Sequence, residues 1–338
     1  MTTDFLLIGQ GISGTWLSYY LQKAGYTCIV IDQVKENSAS RVAAGMINPV
    51  TGRRIVKTWM IDELLPFAFQ AYKELDNELS IQAIEEKKVV DFFPTVQMKL
   101  AFETAQKESD QYLSLPSNEN DFSEFFQYDF GYGMISPCYL VYLQNILPAW
   151  RKKLEANNQL RDHFFDYTKV ELTPGGVRYE DINAHYLIFC DGFEGAANPW
   201  FKLLPYAPNK GEIVWIEAPD LPSTAIFKKG ITVSPWDKSI FWAGPSYEWD
   251  FTDALPSKEF YERTVAGLKH WLKVPFKVVD HKAALRPANL ERRPFVGFHP
   301  VHAQLGLFNG MGTKGCSLSP YFAKQFVESI RNNTPLSA

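Results

Sequence analysis

Two stretches of this chain carry the residue types that hold a phosphate. Gly9, Gly11 and Gly14 stand in "DFLLIGQGISGTW", and Gly310, Gly312 and Gly315 in "LGLFNGMGTKGCSLSP"; each is a G-x-G-x-x-G loop behind an apolar run. In such a loop the first glycine makes the tight turn and the second lets backbone approach a pyrophosphate. The third lets helix and strand pack closely, and the free N–H groups at the helix start face the anion. The first loop carries more. A helix is expected over "SGTWLSYYLQKAG", stopped by Gly25, and the strand "TCIVID" then ends in Asp32. That acid sits about 20 residues beyond the loop, where its carboxylate accepts from ribose hydroxyls and repels a 2′-phosphate. Strand, loop, helix, strand and spaced acid together predict a dinucleotide held by Gly9, Gly11, Ile12, Ser13, Gly14, Asp32 and Gln33, and disfavour NADP.

The second loop lacks that continuation. Beyond Gly315 only "CSLSPYFAKQFVESIRNNTPLSA" follows, which suits a helix but not a returning strand with a ribose acid. The second loop is therefore expected to serve the first unit's ligand at its other end. After Asp32 the chain gives small residues instead of a further Rossmann helix and strand: Ser38, Ala39, Ser40, Ala43, Ala44 and Gly45, then Met46 and the stop Asn48-Pro49. Small side chains let backbone lie close against something flat.

The elements that must position these loops follow from pattern and composition. The chain has 338 residues, 46% hydrophobic and 21% charged, enough for a substantial core and for two domains or one with an inserted lobe. Its net charge of -4 argues against a broad nucleic-acid or anionic-membrane surface. Local basic clusters stand at Arg53, Arg54 and Lys57 and at Arg292 and Arg293. The four cysteines are scattered without a C-x-x-C, which fits a reducing, cytoplasmic location. No leader and no membrane span are expected. "SPCYLVYLQNILPAWRKKLEANN" predicts an amphipathic helix, and "GITVSPWDKSIFWAGPSYEWDF" two alternating strands about a turn at Pro235–Lys238.

"SASRVAAGMINP" resembles the segment by which glycine oxidase and its relatives in the D-amino-acid oxidase family meet the flavin ring. The resemblance extends to "DYTKVELTPGGVRYEDINAHYLIFCDGFEG", to "KLLPYAPNKGEIVWIE" and to "ALRPANLERRPFVGFHP" with "NGMGTKGCSLSPYFAKQF". It is collinear along most of the chain and poor over residues 60–135. The closing loop is similar to that of the enzyme that oxidises carboxymethylaminomethyl-uridine in tRNA. The resemblance implies an α/β chain, α+β overall: a Rossmann-like FAD-binding domain (1–80, 136–204, 282–338) and an inserted substrate domain on a mainly antiparallel sheet (81–135, 205–281).

It also implies site residues. Ser38, Ala44, Gly45 and Met46 would meet the flavin, and Val170, Asp191 and Gly192 the adenine side. Gly310, Met311, Gly312, Thr313, Lys314 and Gly315 would approach the pyrimidine edge, with Lys314 facing negative charge at N1/O2. Arg286 falls at the family's carboxylate-binding arginine; read without the resemblance, it equally braces a strand. Tyr247 or Trp249 would supply an aromatic wall, and Ile231 or Thr232 stands where relatives carry a tyrosine. His281 reads as structural. The arginine block holds no cysteine, which implies non-covalent FAD. It reads Leu290-Glu291-Arg292-Arg293-Pro294 where glycine oxidases carry Asp-Gly, adding positive charge. The expected activity is oxidation of the C–N bond of an amino acid or secondary amine by hydride transfer to flavin N5, with oxygen or another electron acceptor. Arg286, Tyr247 and Lys314 would be the catalytic residues. The alternatives are a stand-alone tRNA wobble-uridine modification flavoenzyme and a non-catalytic FAD-binding module. No metal is called for.

Overall fold

The structure, a computed structural model, describes residues 1–336 apart from 53, 110 and 119. Arg53 of the first basic cluster thus lies outside the described residues. Two sheets organise the chain. The first has the order Val170–Thr173, Gly176–Tyr179, Ile182–Phe189, Thr2–Ile8, Cys28–Ile31 and Leu160–Arg161, with Leu305–Asn309 joining the far end of Ile182–Phe189 and Phe295–Phe298 beside it. The centre is parallel: Leu7 lies opposite Val30 on one side and Ile188 on the other. These strands read as unbroken apolar runs because both faces are covered, and Leu6, Leu7, Val30 and Ile188 are fully buried.

The helices Ile12–Lys23 and Gly315–Asn332, each opened by a glycine loop, pack on each other and on this sheet. Aromatic rings fill the layer around them. Trp16 meets Tyr72 edge to face at 5.0 Å, and Trp150 donates its indole N–H to Ser18 Oγ at 2.8 Å.

The second sheet runs Lys277–Arg286, Asn209–Glu217, Ile240–Gly244, Ile231–Asp237, Ile226–Lys229, Ile84–Phe92, Tyr132–Val141 and Met46–Ile47. All of its pairings are antiparallel among the described residues except Ile226–Lys229 with Ile84–Phe92. The strand pair expected over residues 230–244 is present, with Val233 opposite Ala243. Pro235 and Trp236 lie in the first of its strands, so the turn is shorter than expected.

One element differs from the expected helix over Ser136–Asn158. Tyr132–Val141 is a strand, and the helix begins at Leu143. Cys138, Leu140 and Val141 are all buried, packed on both faces of a central strand. An apolar run of that kind reads equally well as the start of a buried helix. The boundaries expected at 136 and 282 fall within the strands Tyr132–Val141 and Lys277–Arg286.

Candidate functional site

A cavity of about 890 Å³ lies between the two sheets, and both glycine loops line it. From the first come Gly9, Gln10, Gly11, Ile12 and Ser13; from the closing loop Met311, Gly312, Thr313 and Gly315. The loops also touch each other: a Cβ on Gly315 would stand 3.0 Å from Ile12 Cγ2. Gly9 has φ +98°, and a Cβ there would meet the Cys190 carbonyl oxygen at 2.5 Å. Gly14 lies outside the lining; a Cβ on it would drive into the Gly9 carbonyl, so it serves the close approach of helix to strand. The helix above offers its first N–H groups to the cavity. Ser40 Oγ accepts from Ile12 N at 3.0 Å and fixes the segment 38–46 against that helix.

Asp32 lines the cavity at the end of its strand. One carboxylate oxygen accepts from Gln10 N at 2.8 Å and the other pairs with Arg151 Nη1 at 2.7 Å. Each oxygen keeps a lone pair for a further donor. Gln33, Ser38, Ala44, Gly45 and Met46 also line the cavity, as do Asp191 and Gly192. Asp191 is tied into a buried cluster, accepting from Tyr167 Oη at 2.9 Å and Asn309 Nδ2 at 2.8 Å. Burial pushes its carboxyl up to about 6, against the hydrogen bonds from Tyr167 and Asn198 that hold it down.

At the second sheet the lining includes Gly211, Thr232, Trp242, Tyr247 and Arg286. The Arg286 side chain lies across Gly211, where any Cβ would collide with the guanidinium. Arg286 Nη1 donates to Asn209 Oδ1 at 2.6 Å and Nη2 to the Ser246 carbonyl at 3.1 Å. The Tyr247 ring sits 4.7 Å from the guanidinium carbon. Burial lowers the pKa of Arg286, and no acid pairs with it among the described residues. On the adjoining strand Glu212, opposite Ala283, is fully buried and anchors the segment after Tyr247. Glu212 accepts from Ser257 N at 2.6 Å, Ser257 Oγ at 2.7 Å and His281 Nε2 at 2.9 Å. His281 is outside the lining and works in this structural network.

Besides Gly14, three expected positions lie outside the lining. Val170 stands at the edge of the first sheet and packs into its apolar cluster, outside the cavity; Phe164, Phe165 and Tyr167 of the preceding turn reach the cavity instead. Gly310 is also outside the lining, at φ +75° with Asn289 and Phe295 against it. Lys314 is also outside the lining, and burial together with Arg293 and Arg292 lowers its pKa. Of the paired alternatives, Thr232 and Tyr247 line the cavity while Ile231 and Trp249 do not.

Sequence reasoning missed Arg151, Trp242 and Asn309, and the bond by which Ser40 holds the helix start. Trp242 donates its indole N–H to the Val42 carbonyl at 2.8 Å, fastening the second sheet to the small-residue segment. Asn309 directly precedes the closing loop and bridges Asp191 to it through Gly310 N, a position the motif's spacing marks. Arg151 sits 119 residues from Asp32, and no local signal joins them.

A family model described as FAD dependent oxidoreductase matches residues 4–329. The chain belongs to this family, the DAO family of FAD-dependent oxidoreductases. It is 24% identical to a glycine oxidase of Bacillus licheniformis, over 98% of this chain and 93% of that protein. Its fold is shared with solved structures. Iminodiacetate oxidase from Chelativorans sp. BNC1 matches with TM-score 0.78 at 19% identity, over 99% of this chain and 97% of that one. Glycine oxidase from Geobacillus kaustophilus matches with TM-score 0.80 at 17% identity, over 99% and 95%. The cavity fits the family's cofactor by its own features: glycines where side chains would obstruct, a helix N-terminus, and an acid at the strand end. Its volume is at the upper end of the usual range for cofactor sites, about 300–1,000 Å³. Among the described residues no helix is long and apolar enough to cross a membrane, and no cluster of His, Cys, Asp and Glu could hold a metal.

Proposed function

We propose that this FAD-dependent oxidoreductase oxidises the C–N bond of a small amine that carries a carboxylate, an amino acid or a secondary amino acid. The observation that carries the reading is Arg286: a cation lining the cavity, held by neutral oxygens alone and without an acid partner. A guanidinium in that setting pairs bidentately with a carboxylate. Asn209 and the Ser246 carbonyl aim the fork, Gly211 makes room for it, and Tyr247 covers one face. Together they orient the substrate.

The flavin, when bound, supplies the two-electron acceptor for a hydride from the α-carbon, leaving an imine that water hydrolyses. Gly9, Gly11, Ile12, Ser13, Asp32 and Gln33 would hold the nucleotide end and Ala44, Gly45, Met46 and the closing loop the ring. Cofactor attachment is non-covalent in this reading. Cys190 and Cys316 line the cavity, but burial raises both thiols, Cys316 to about 12, so neither offers a thiolate.

The test is anaerobic mixing with glycine, sarcosine, D-amino acids and proline analogues, read as bleaching of the flavin band. Arg286→Ala is expected to raise KM for the active substrate about 10- to 100-fold, the worth of a hydrogen-bonded charge. An unchanged KM removes Arg286 from the substrate site.

A further inference from the structure

The turn Leu290–Arg293 is where this chain departs from its relatives, and the departure builds a defined surface. Asn289 is 3% exposed and holds the turn. Its Nδ2 donates to the Arg293 carbonyl at 2.6 Å and to the Gly310 carbonyl at 3.0 Å, and its Oδ1 accepts from Arg293 N at 3.3 Å. The double-arginine turn is thereby fastened to the first glycine of the closing loop. Arg292 is held at φ 56°, a left-handed conformation unfavourable for any residue but glycine.

The Arg293 side chain is held in place as well. Arg293 lays its guanidinium on Trp59, 3.8 Å from the ring centroid, and Trp59 stacks in turn on Phe322. Lys314, half-buried, stands close enough for both arginines to act on its charge. Among the described residues no acid pairs with Arg292, Arg293 or Lys314, and the adjacent Glu291 forms no ion pair with them. Two buried cations elsewhere do have acid partners: Arg151 has Asp32, Glu155 and Asp162, and Lys210 has Glu212 and Glu248. Three cations gathered without counter-charge repel one another, and an anion with several oxygens relieves that repulsion.

The geometry points to an oxyanion-binding site formed by Arg292, Arg293 and Lys314 on the outer side of the closing loop, taking a multiply charged phosphate or carboxylate group of a small molecule. Thr313 and Gly315, on either side of Lys314, line the cavity, while Lys314 does not. An anion here would sit behind the loop, on the face away from the cavity. The site stands whether or not the C–N reading holds, because it uses no residue of the substrate pocket.

The experiment titrates pyrophosphate and, separately, citrate into the flavin-loaded protein by calorimetry at constant ionic strength. It compares the native chain, the double variant Arg292→Gly/Arg293→Gln, and a control that loses the exposed cations Lys202→Ser/Lys269→Ser. Glycine relieves the left-handed position and glutamine keeps bulk on Trp59, so folding is preserved. Saturable binding of either anion is expected, weakened about tenfold or more in the arginine variant and unchanged in the control. Which anion binds tells phosphate from carboxylate recognition. No saturable binding of either, or equal weakening in both variants, overturns the site. A short RNA that binds the native chain and the arginine variant alike, while both anions fail, assigns the charge to diffuse polyanion attraction and likewise overturns it.

Discussion

Asp191 is a partly buried acid on the cavity wall, and its titration has a definite sign. In the folded chain its carboxyl is pushed up to about 6, from an ordinary 3.8, chiefly by burial. Between those two values the folded chain keeps a proton that the unfolded chain has lost. Asp191's contribution to stability is therefore largest at low pH, falls as pH rises from about 4 to about 6, and is constant above. The interval corresponds to about 3 kcal/mol at most. Asp191→Asn has no such titration, so the unfolding free energy of the native chain minus that of the variant should fall across this window in denaturant titrations at successive pH values. A constant difference refutes the assignment. Arg286 and Tyr247 could be found from motif position because each follows a recognisable block. Lys314 could not be oriented in the same way. Its neighbours in sequence face the cavity, but its charge lies among two arginines brought in by a distant turn.

At the scale of elements, the two glycine loops differ in what their glycines do. Gly14 is enclosed, with the Gly9 carbonyl where its own Cβ would go. Gly312 is open on that side, its nearest neighbours being Ala288 atoms at 3.9 Å, but it has φ +55°. Gly14→Ala is therefore expected to cost about 1–3 kcal/mol by overpacking and to lose bound flavin, since the displaced helix carries the phosphate-facing N–H groups. Gly312→Ala is expected to cost about 1–2 kcal/mol through backbone conformation alone and to keep its flavin. The ratio of flavin to protein absorbance, with denaturant unfolding, separates the two; flavin lost from both variants equally would contradict the distinction. The first strand, loop and helix were legible because every signal there is local. The strand Tyr132–Val141 was not, because both its faces are covered by segments far away in sequence and its apolar run carries no period of two.

Across the whole molecule, the cavity joins the two sheets. The first supplies Gly11, Asp32 and Asp191, the second Thr232, Trp242 and Arg286, and the closing loop lies between them against Ile12. The collinear order of these blocks in the sequence made the fold class readable, yet only pairing across long separations could show which side chains share one space. If a single extended FAD bridges the two loops, its removal should loosen both together. Reconstitution at a free flavin concentration about 100 times Kd should add about 2.7 kcal/mol to stability, seen as a higher Tm. Hydrogen exchange should then slow at residues 9–14 and at 310–315 in the same titration, with one apparent affinity. Protection confined to the first loop, with 310–315 unchanged, would mean that the closing loop does not hold the same ligand, and the shared cavity would need another explanation.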